Sequence, residues 1–250
     1  FSAATTLTGS SGSVWAVDIN NNGTLDLVTS GGKVFLGNGD GTFQAPLSTF
    51  GGAVLGDVDG DGKPDFVSSV FSGGQVGFTI RYGNGDGTFQ APVTHLLGAG
   101  VGVSGIYLAD TTGSGRKDII IAYDDGADTQ SFGARASGGG SFQSFAPQLV
   151  TGATFGNLFF LDMNGDGRED AFMFASDGLT FWAANSNGAY TPSSMQLNQL
   201  DAFTLLNLQS GDINGDGIPD LIAATGSGLG TFLGDGKGGF HINERASGVF

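Results

Sequence analysis

Asp57-Val-Asp59-Gly-Asp61-Gly62-Lys63-Pro-Asp65 stands between the apolar runs Ala53-Val-Leu55 and Phe66-Val67, and it does not stand alone. Four more stretches keep its spacing: Asp18-Ile-Asn20-Asn-Asn22-Gly23-Thr24-Leu-Asp26, Asp110-Thr-Thr112-Gly-Ser114-Gly115-Arg116-Lys-Asp118, Asp162-Met-Asn164-Gly-Asp166-Gly167-Arg168-Glu-Asp170 and Asp212-Ile-Asn214-Gly-Asp216-Gly217-Ile218-Pro-Asp220. Their first aspartates lie 39, 53, 52 and 50 residues apart. A period of this size marks a propeller, a solenoid or another array of supersecondary units.

The flanks repeat too. Each loop is preceded by an apolar run (Val14–Val17, Ala53–Leu55, Ile106–Ala109, Leu158–Leu161, Leu205–Leu208) and followed by another that opens at Leu27, Phe66, Ile119, Ala171 or Leu221. These runs are continuous and β-rich, which predicts strands buried on both faces. A third run (Lys33–Leu36, Gln75–Tyr82, Gly178–Ala183, Gly230–Leu233) ends in a glycine turn such as Gly37-Asn-Gly-Asp-Gly41 or Gly83-Asn-Gly-Asp-Gly87. A fourth opens on an aromatic residue: Phe43, Phe89, Phe142, Tyr190 or Phe240. The unit is thus four short antiparallel strands with tight turns.

A four-stranded sheet with two apolar faces must sit between two neighbours, and radial packing achieves this without long exposed edges. The expected fold is all-β: a single five-bladed β-propeller domain over 1–250, with blades at approximately 1–48, 49–97, 98–148, 149–198 and 199–250 and an ion-binding loop between the first two strands of each. Counting from Asp212 round through both termini to Asp18 gives a spacing close to the others, as five closed blades require. A stacked solenoid is the alternative, but it needs polar caps at its ends. One redundancy stays open. Phe1–Leu7 resembles a fourth strand, so six such strands are available for five blades. One end adds an outer strand, frays, pairs with another molecule, or belongs to a longer array.

Composition narrows the partners. The chain has 250 residues, a net charge of −15 and no cysteine. Such a charge argues against nucleic acid and against an anionic membrane surface. No apolar run approaches a membrane span, so no membrane insertion is expected. No charged-then-apolar leader opens the sequence, which reads as a mature or excised segment. Disulfides, thiolate zinc sites and thiol nucleophiles are excluded, and any staple must come from elsewhere.

The loops are the natural staple. Oxygens at positions 1, 3, 5 and 9 converge, with a turn-forming glycine at position 6 and a backbone carbonyl at position 7. This all-oxygen shell suits Ca²⁺ better than Mg²⁺ or Zn²⁺. The expected ligands are Asp18, Asn20, Asn22, Thr24 and Asp26; Asp57, Asp59, Asp61, Lys63 and Asp65; Asp162, Asn164, Asp166, Arg168 and Asp170; and Asp212, Asn214, Asp216, Ile218 and Asp220. By carboxylate number the second loop should bind best, then the fourth and fifth, then the first. In the third, Asp110, Thr112, Ser114, Arg116 and Asp118 form a weak or empty site because hydroxyls replace the ligands at positions 3 and 5. About four Ca²⁺ ions are therefore expected. The plain alternative is a set of Asp-Gly hairpin turns.

The unit apolar strand, D-x-[DN]-x-[DN]-G-x-x-D, apolar strand resembles the FG-GAP/VCBS repeat, whose blades build the head of integrin α subunits and calcium-dependent fungal propeller lectins. The resemblance runs through all five repeats, and the third loop departs from the pattern. It implies a calcium-stabilised, usually extracellular propeller serving adhesion or recognition of carbohydrate or protein. The expected function is a non-catalytic recognition module, secreted or displayed at the cell surface, whose partner is a glycan or an extracellular protein. The alternatives are a structural docking propeller of a larger secreted protein and a polysaccharide lyase or hydrolase scaffold.

Other chemistry is poorly supported. An EF-hand needs a glutamate at position 12 and flanking helices. Asp40-Gly-Thr-Phe43 and Asp86-Gly-Thr-Phe89 are similar to sialidase aspartate boxes, but the arginines are scattered. His95 and His241 follow the aromatic that opens a fourth strand, outside any nucleophile motif. Paired carboxylates for glycoside hydrolysis would have to come from the few acids outside the loops. Trp15 and Tyr107 are expected between blades, whereas Trp182 and Tyr190 are the candidates for exposed rings that stack on a sugar.

Overall fold

The computed structural model describes residues 12–47, 53–124, 129–138, 141–144, 148–151, 158–175, 178–196, 205–225, 228–237 and 239–246, part of this as backbone alone. These residues form five antiparallel sheets in chain order. The first holds β1 (Val14–Val17), β2 (Asp26–Thr29) and β3 (Val34–Phe35), and the second β4 (Ala53–Gly56), β5 (Asp65–Ser72), β6 (Gln75–Arg81) and β7 (Val93–Ala99). The third holds β8 (Gly102–Ala109), β9 (Asp118–Asp124), β10 (Thr129–Gly138), β11 (Ser141–Ser144) and β12 (Gln148–Thr151). The fourth holds β13 (Leu158–Leu161), β14 (Asp170–Ala175), β15 (Gly178–Ala184) and β16 (Tyr190–Gln196). The fifth holds β17 (Leu205–Gly211), β18 (Asp220–Thr225), β19 (Gly228–Gly234) and β20 (Phe240–Ala246). The second, fourth and fifth are four-stranded meanders, each strand paired with the next in sequence.

Two sheets depart from the expected unit. In the first, the fourth strand is reduced to a bridge between Gly37 and Phe43, continued by Gln44 N–H to Leu36 O and Leu47 N–H to Val34 O. Pro46 lacks an N–H and interrupts a regular ladder there. In the third, the ten-residue β10 pairs β11 at its C-terminal end and β12 at its N-terminal end, so two short strands share the fourth place. The stretch 129–138 is rich in Gly, Ser and Ala and carries no apolar run for the sequence pattern to register.

Every second strand begins at the position-9 aspartate, so positions 10 and 11 point to opposite faces. The residue at 10 faces the sheet before and the residue at 11 faces the sheet after. Val28 and Phe66 meet between the first and second sheets, Val67 and Ile119 between the second and third, Ile120 and Ala171 between the third and fourth, and Phe172 and Leu221 between the fourth and fifth. All eight are buried. Four apolar seams therefore join successive sheets, and among the described residues no apolar cluster joins the fifth sheet to the first.

Candidate metal centre

Each loop connects the first two strands of its sheet, and all five close in the same way. The glycine at position 6 has φ of 83°, 81°, 80°, 83° and 83° in Gly23, Gly62, Gly115, Gly167 and Gly217. Only glycine takes this conformation without cost. Its N–H donates to the position-1 carboxylate at 2.7, 2.9, 2.6, 2.8 and 2.9 Å in the five loops. In four loops the N–H of position 5 donates to the side-chain oxygen of position 3, as Asp61 does to Asp59 at 3.0 Å. The N–H of position 7 then donates to the side-chain oxygen of position 5 in all five. These bonds tie the side chains of positions 1 and 5 in every loop, and of position 3 in four, to the loop's own backbone.

In the second loop, carboxylate oxygens of Asp57, Asp59 and Asp61 lie within 4.8 Å of one another. Burial first, and then the charges of Asp61 and Asp57, hold Asp59 above the ordinary carboxylate range. Asp61 is held below it, chiefly by the Lys63 ammonium 2.9 Å away. Three carboxylates this close repel one another. The donor set is entirely oxygen, which fits a hard divalent cation of calcium size. In the fourth loop Arg168 hydrogen-bonds Asp166, the same pairing of positions 7 and 5. In the fifth, Asn214 keeps its Oδ1 toward the N–H of Asp216 while its Nδ2 donates to the Asp216 carboxylate at 2.9 Å.

The third loop is organised by neutral donors. Asp110 accepts the N–H of Ser114 and of Gly115, with the Thr112 and Ser114 hydroxyls at 3.5 Å. The following sheet adds a clasp, in which Glu169 Oε2 accepts the Asp110 N–H at 2.5 Å and the Lys117 ammonium at 2.8 Å. With hydroxyls at positions 3 and 5 instead of carboxylates, Asp110 meets little of the repulsion present in the second loop.

Position 9 has a role that sequence reasoning missed. Asp26, Asp65, Asp118, Asp170 and Asp220 are all buried. In four of them one oxygen accepts the N–H of position 2 and the other the N–H at the end of the third strand. Val58 and Gly83 both reach Asp65 at 2.9 Å, with Ile19 and Gly37 on Asp26, Met163 and Ala184 on Asp170, and Ile213 and Gly234 on Asp220. In the third loop Thr111 donates to Asp118 through both its N–H and its hydroxyl. Position 9 is thus a buried bracket tying loop to sheet, with lone pairs left over on each oxygen. The signal was available: the aspartate persists in the third loop, where positions 3 and 5 have lost theirs. Burial raises Asp65 and Asp170 to about 6, against the opposing pull of their backbone donors.

Glycine at position 4 was missed as well. Gly60, Gly113, Gly165 and Gly215 all have positive φ, and in the first loop Asn21 takes φ 57°. Asparagine tolerates this region better than other side chains.

The expectation of exposed rings at Trp182 and Tyr190 is corrected. They are 5% and 4% exposed and pack with Ile120, Leu158 and Ala171 between the third and fourth sheets. Trp182 is the cross-strand partner of Ala171, which brings it onto the face that meets the third sheet. The small alanine at position 10 leaves the space that the indole fills. Trp15 and Tyr107 pack in the seams expected for them. His95 stacks on Phe78 with centroids 5.1 Å apart, and the His241 side chain lies outside the described residues. Between the fourth and fifth sheets a groove of about 140 Å³ brings Phe159 and Phe160 beside Gln209 and Ser210.

Comparison with known proteins places these features in context. The family described as FG-GAP-like repeat matches residues 57–121 and 162–223. No curated protein sequence matches the chain. Among solved structures, a lectin of Agrocybe aegerita is similar with a TM-score of 0.70 and 25% identity over 92% of this chain. The chain spans 64% of that lectin, which recognises non-reducing terminal N-acetylglucosamine. Part of the Photorhabdus luminescens Tc holotoxin pore is similar in fold, with a TM-score of 0.54 and 19% identity over 98% of this chain and 12% of the toxin chain.

Proposed function

This chain belongs to the FG-GAP-like repeat family, and we propose that it is a non-catalytic recognition module that binds carbohydrate and is stabilised by calcium. The observation that supports carbohydrate as the ligand is the likeness, over nearly the whole chain, to a lectin that recognises terminal N-acetylglucosamine. Fold alone does not transmit function, so the reading also leans on chemistry in this chain. The groove between the fourth and fifth sheets sets the partly buried Phe159 ring beside Gln209 and Ser210, an apolar surface for a sugar ring next to polar groups for its hydroxyls.

Calcium is proposed to bind best at the second loop, then at the fourth and fifth alike, then at the first, with the third weak or empty. The side chains of positions 1, 3 and 5 and the position-7 carbonyl hold the ion, and position 9 adds a spare lone pair from its bracket. Such ions draw the loop carboxylates together and favour the folded chain by mass action. The proposed setting is extracellular, secreted or at a cell surface, where calcium is abundant enough for loops of modest affinity. Among the described residues no helix is long and apolar enough to cross a membrane.

Titration calorimetry with N-acetylglucosamine, with and without calcium, together with a glycan array, tests the reading. Saturable sugar binding that Gln209→Ala weakens is expected. A second reading, a structural docking module of a larger secreted protein, is favoured by the burial of Trp182 and Tyr190. Silence across the array, with calcium still raising the melting temperature, would select it.

A further inference from the structure

Lys117 stands at position 8 of the third loop and touches the loops on both sides. Its N–H donates to the Asp57 carbonyl of the second loop at 3.3 Å, and its stem lies over Gly56, with Cγ 3.7 Å from where a Cβ would stand. Its ammonium meets Glu169 Oε2 of the fourth loop at 2.8 Å. Glu169 in turn clamps Asp110, its own N–H donating to the Asp110 carbonyl at 2.8 Å while Oε2 accepts the Asp110 N–H at 2.5 Å. The side chains at position 7 stack as well. The Arg116 stem lies against Gly60 of the second loop, and Arg168 Cγ is 3.3 Å from the Cβ position of Gly113 in the third. An unbroken line of contacts thus runs from Asp57 through Lys117 to Glu169, whose chain neighbours Arg168 and Asp170 are expected calcium ligands.

The first and second loops, and the fourth and fifth, cannot make this rung. Position 8 is Pro64 in the second loop and Pro219 in the fifth, and proline has no N–H to donate to the loop before it. A Cβ at Gly165 would meet nothing within 4 Å among the described residues, so the fifth loop does not stack on the fourth as the fourth does on the third. The third loop holds its shape by its own bonds. Thr111 and Asp118 are buried and bonded to each other, and Asp110 is held by the N–H groups of Ser114 and Gly115. It is a stiff spacer between the loop richest in carboxylates and the fourth.

We propose that calcium ions in the second and fourth loops bind with positive cooperativity through the third, with Lys117 and Glu169 as positioning residues, and that the first and fifth loops bind independently; this coupling rests on the calcium reading above. In the empty second loop three close carboxylates repel one another. An ion draws them together and fixes the Asp57 backbone, and with it the N–H and stem of Lys117. The ammonium then holds Glu169, and so the chain on either side of it that supplies positions 7 and 9 of the fourth loop. The conformational freedom lost along this line is lost once, on the first ion, so the second binds more tightly. Packed side chains and hydrogen bonds carry such coupling between sites. Direct repulsion between the two ions opposes it. A whole sheet lies between the two loops, however, roughly 20 Å at ordinary sheet spacing, and at about 0.15 M salt charges are screened beyond about 8 Å. Coupling is reciprocal, so each site strengthens the other by the same factor.

Hydrogen exchange read by mass spectrometry along a calcium titration of the intact chain gives each loop its own midpoint, from peptides covering 57–65, 162–170 and 212–220. Asp59→Ala, which disables the second loop, should move the fourth loop's midpoint to at least about fivefold higher calcium. Asp166→Ala should move the second loop's midpoint by the same factor, and neither should move the fifth loop's. Lys117→Pro installs the residue that the second and fifth loops already carry at this position, and removes both the N–H and the ammonium. In that background both shifts should vanish while the second, fourth and fifth loops, where intact, still gain protection. Lys117→Met, which keeps the N–H, takes its place if the proline variant fails to fold, and should diminish both shifts. Midpoints that ignore the state of the other loop overturn the coupling. So does an equal shift in the fifth loop, or a shift undiminished in the Lys117 variant. A wild type whose loops gain no protection from calcium refutes the calcium sites themselves, and the coupling with them.

Discussion

Asp65→Asn isolates what the position-9 bracket costs when charged. Asp65 is buried, accepts the Val58 and Gly83 N–H groups at 2.9 Å each, and has its carboxyl pushed up to about 6 by burial. An unfolded aspartate titrates near about 3.9. The folded state therefore binds the proton more tightly, and stability falls as pH rises from about 3.9 through about 6. Between about pH 7.5 and about pH 4.5 in chelator, this one group should stabilise the wild type by about 2 kcal/mol. The asparagine variant lacks the proton equilibrium, so the stability difference between the two proteins should move by that amount in favour of the wild type. For a chain of this size that corresponds to roughly 4–8 °C in melting temperature. Urea titrations of both proteins at the two pH values, in chelator, measure it. Taking the difference removes the other carboxylates, such as Asp212, which backbone donors hold below the ordinary range and which titrate in the opposite sense. A stability difference indifferent to pH would refute the bracket as the source. With calcium added the advantage at low pH should shrink or reverse, because a nearby cation favours the carboxylate.

Three further outcomes are expected. Calcium should raise the melting temperature above that in chelator, each site adding about 2.7 kcal/mol at a free concentration one hundred times its dissociation constant, with magnesium less effective; calorimetric scans check it. Asp59→Ala should remove more of that calcium effect than Asp110→Ala, since three carboxylates converge only in the second loop among the described residues; equal losses would undo the ranking of sites. Asn21→Gly should stabilise the first loop by up to about 1 kcal/mol, because it relieves the left-handed strain of a non-glycine residue at φ 57°; chemical denaturation reads the change.

Local pattern made much of the fold legible. The runs Val14–Val17 and Leu158–Leu161 are strands with those bounds, since they sit between a breaker and a fixed loop. The fourth strands were less legible, because Pro46 and the divided partner of β10 depend on how each ladder ends. In the loops, the tight turn closed at position 6 followed from spacing and glycine. The bracket at position 9 did not, because a ligand and a buried hydrogen-bond acceptor both call for a carboxylate, and only the amides of Val58 and Gly83 reveal the second task. Trp182 looked like a surface ring in a third strand until its pairing with Ala171 placed it in a seam.

The amino-acid sequence by itself determined the repeat, the all-β class and the oxygen-lined loops, because period, β-branched runs and turn glycines act over a few neighbouring residues. Only the tertiary structure decided which faces are covered. Phe66 and Leu27 both stand at position 10, yet Phe66 is buried in the seam with the first sheet and Leu27 is only partly buried, a difference made by packing that no local pattern carries.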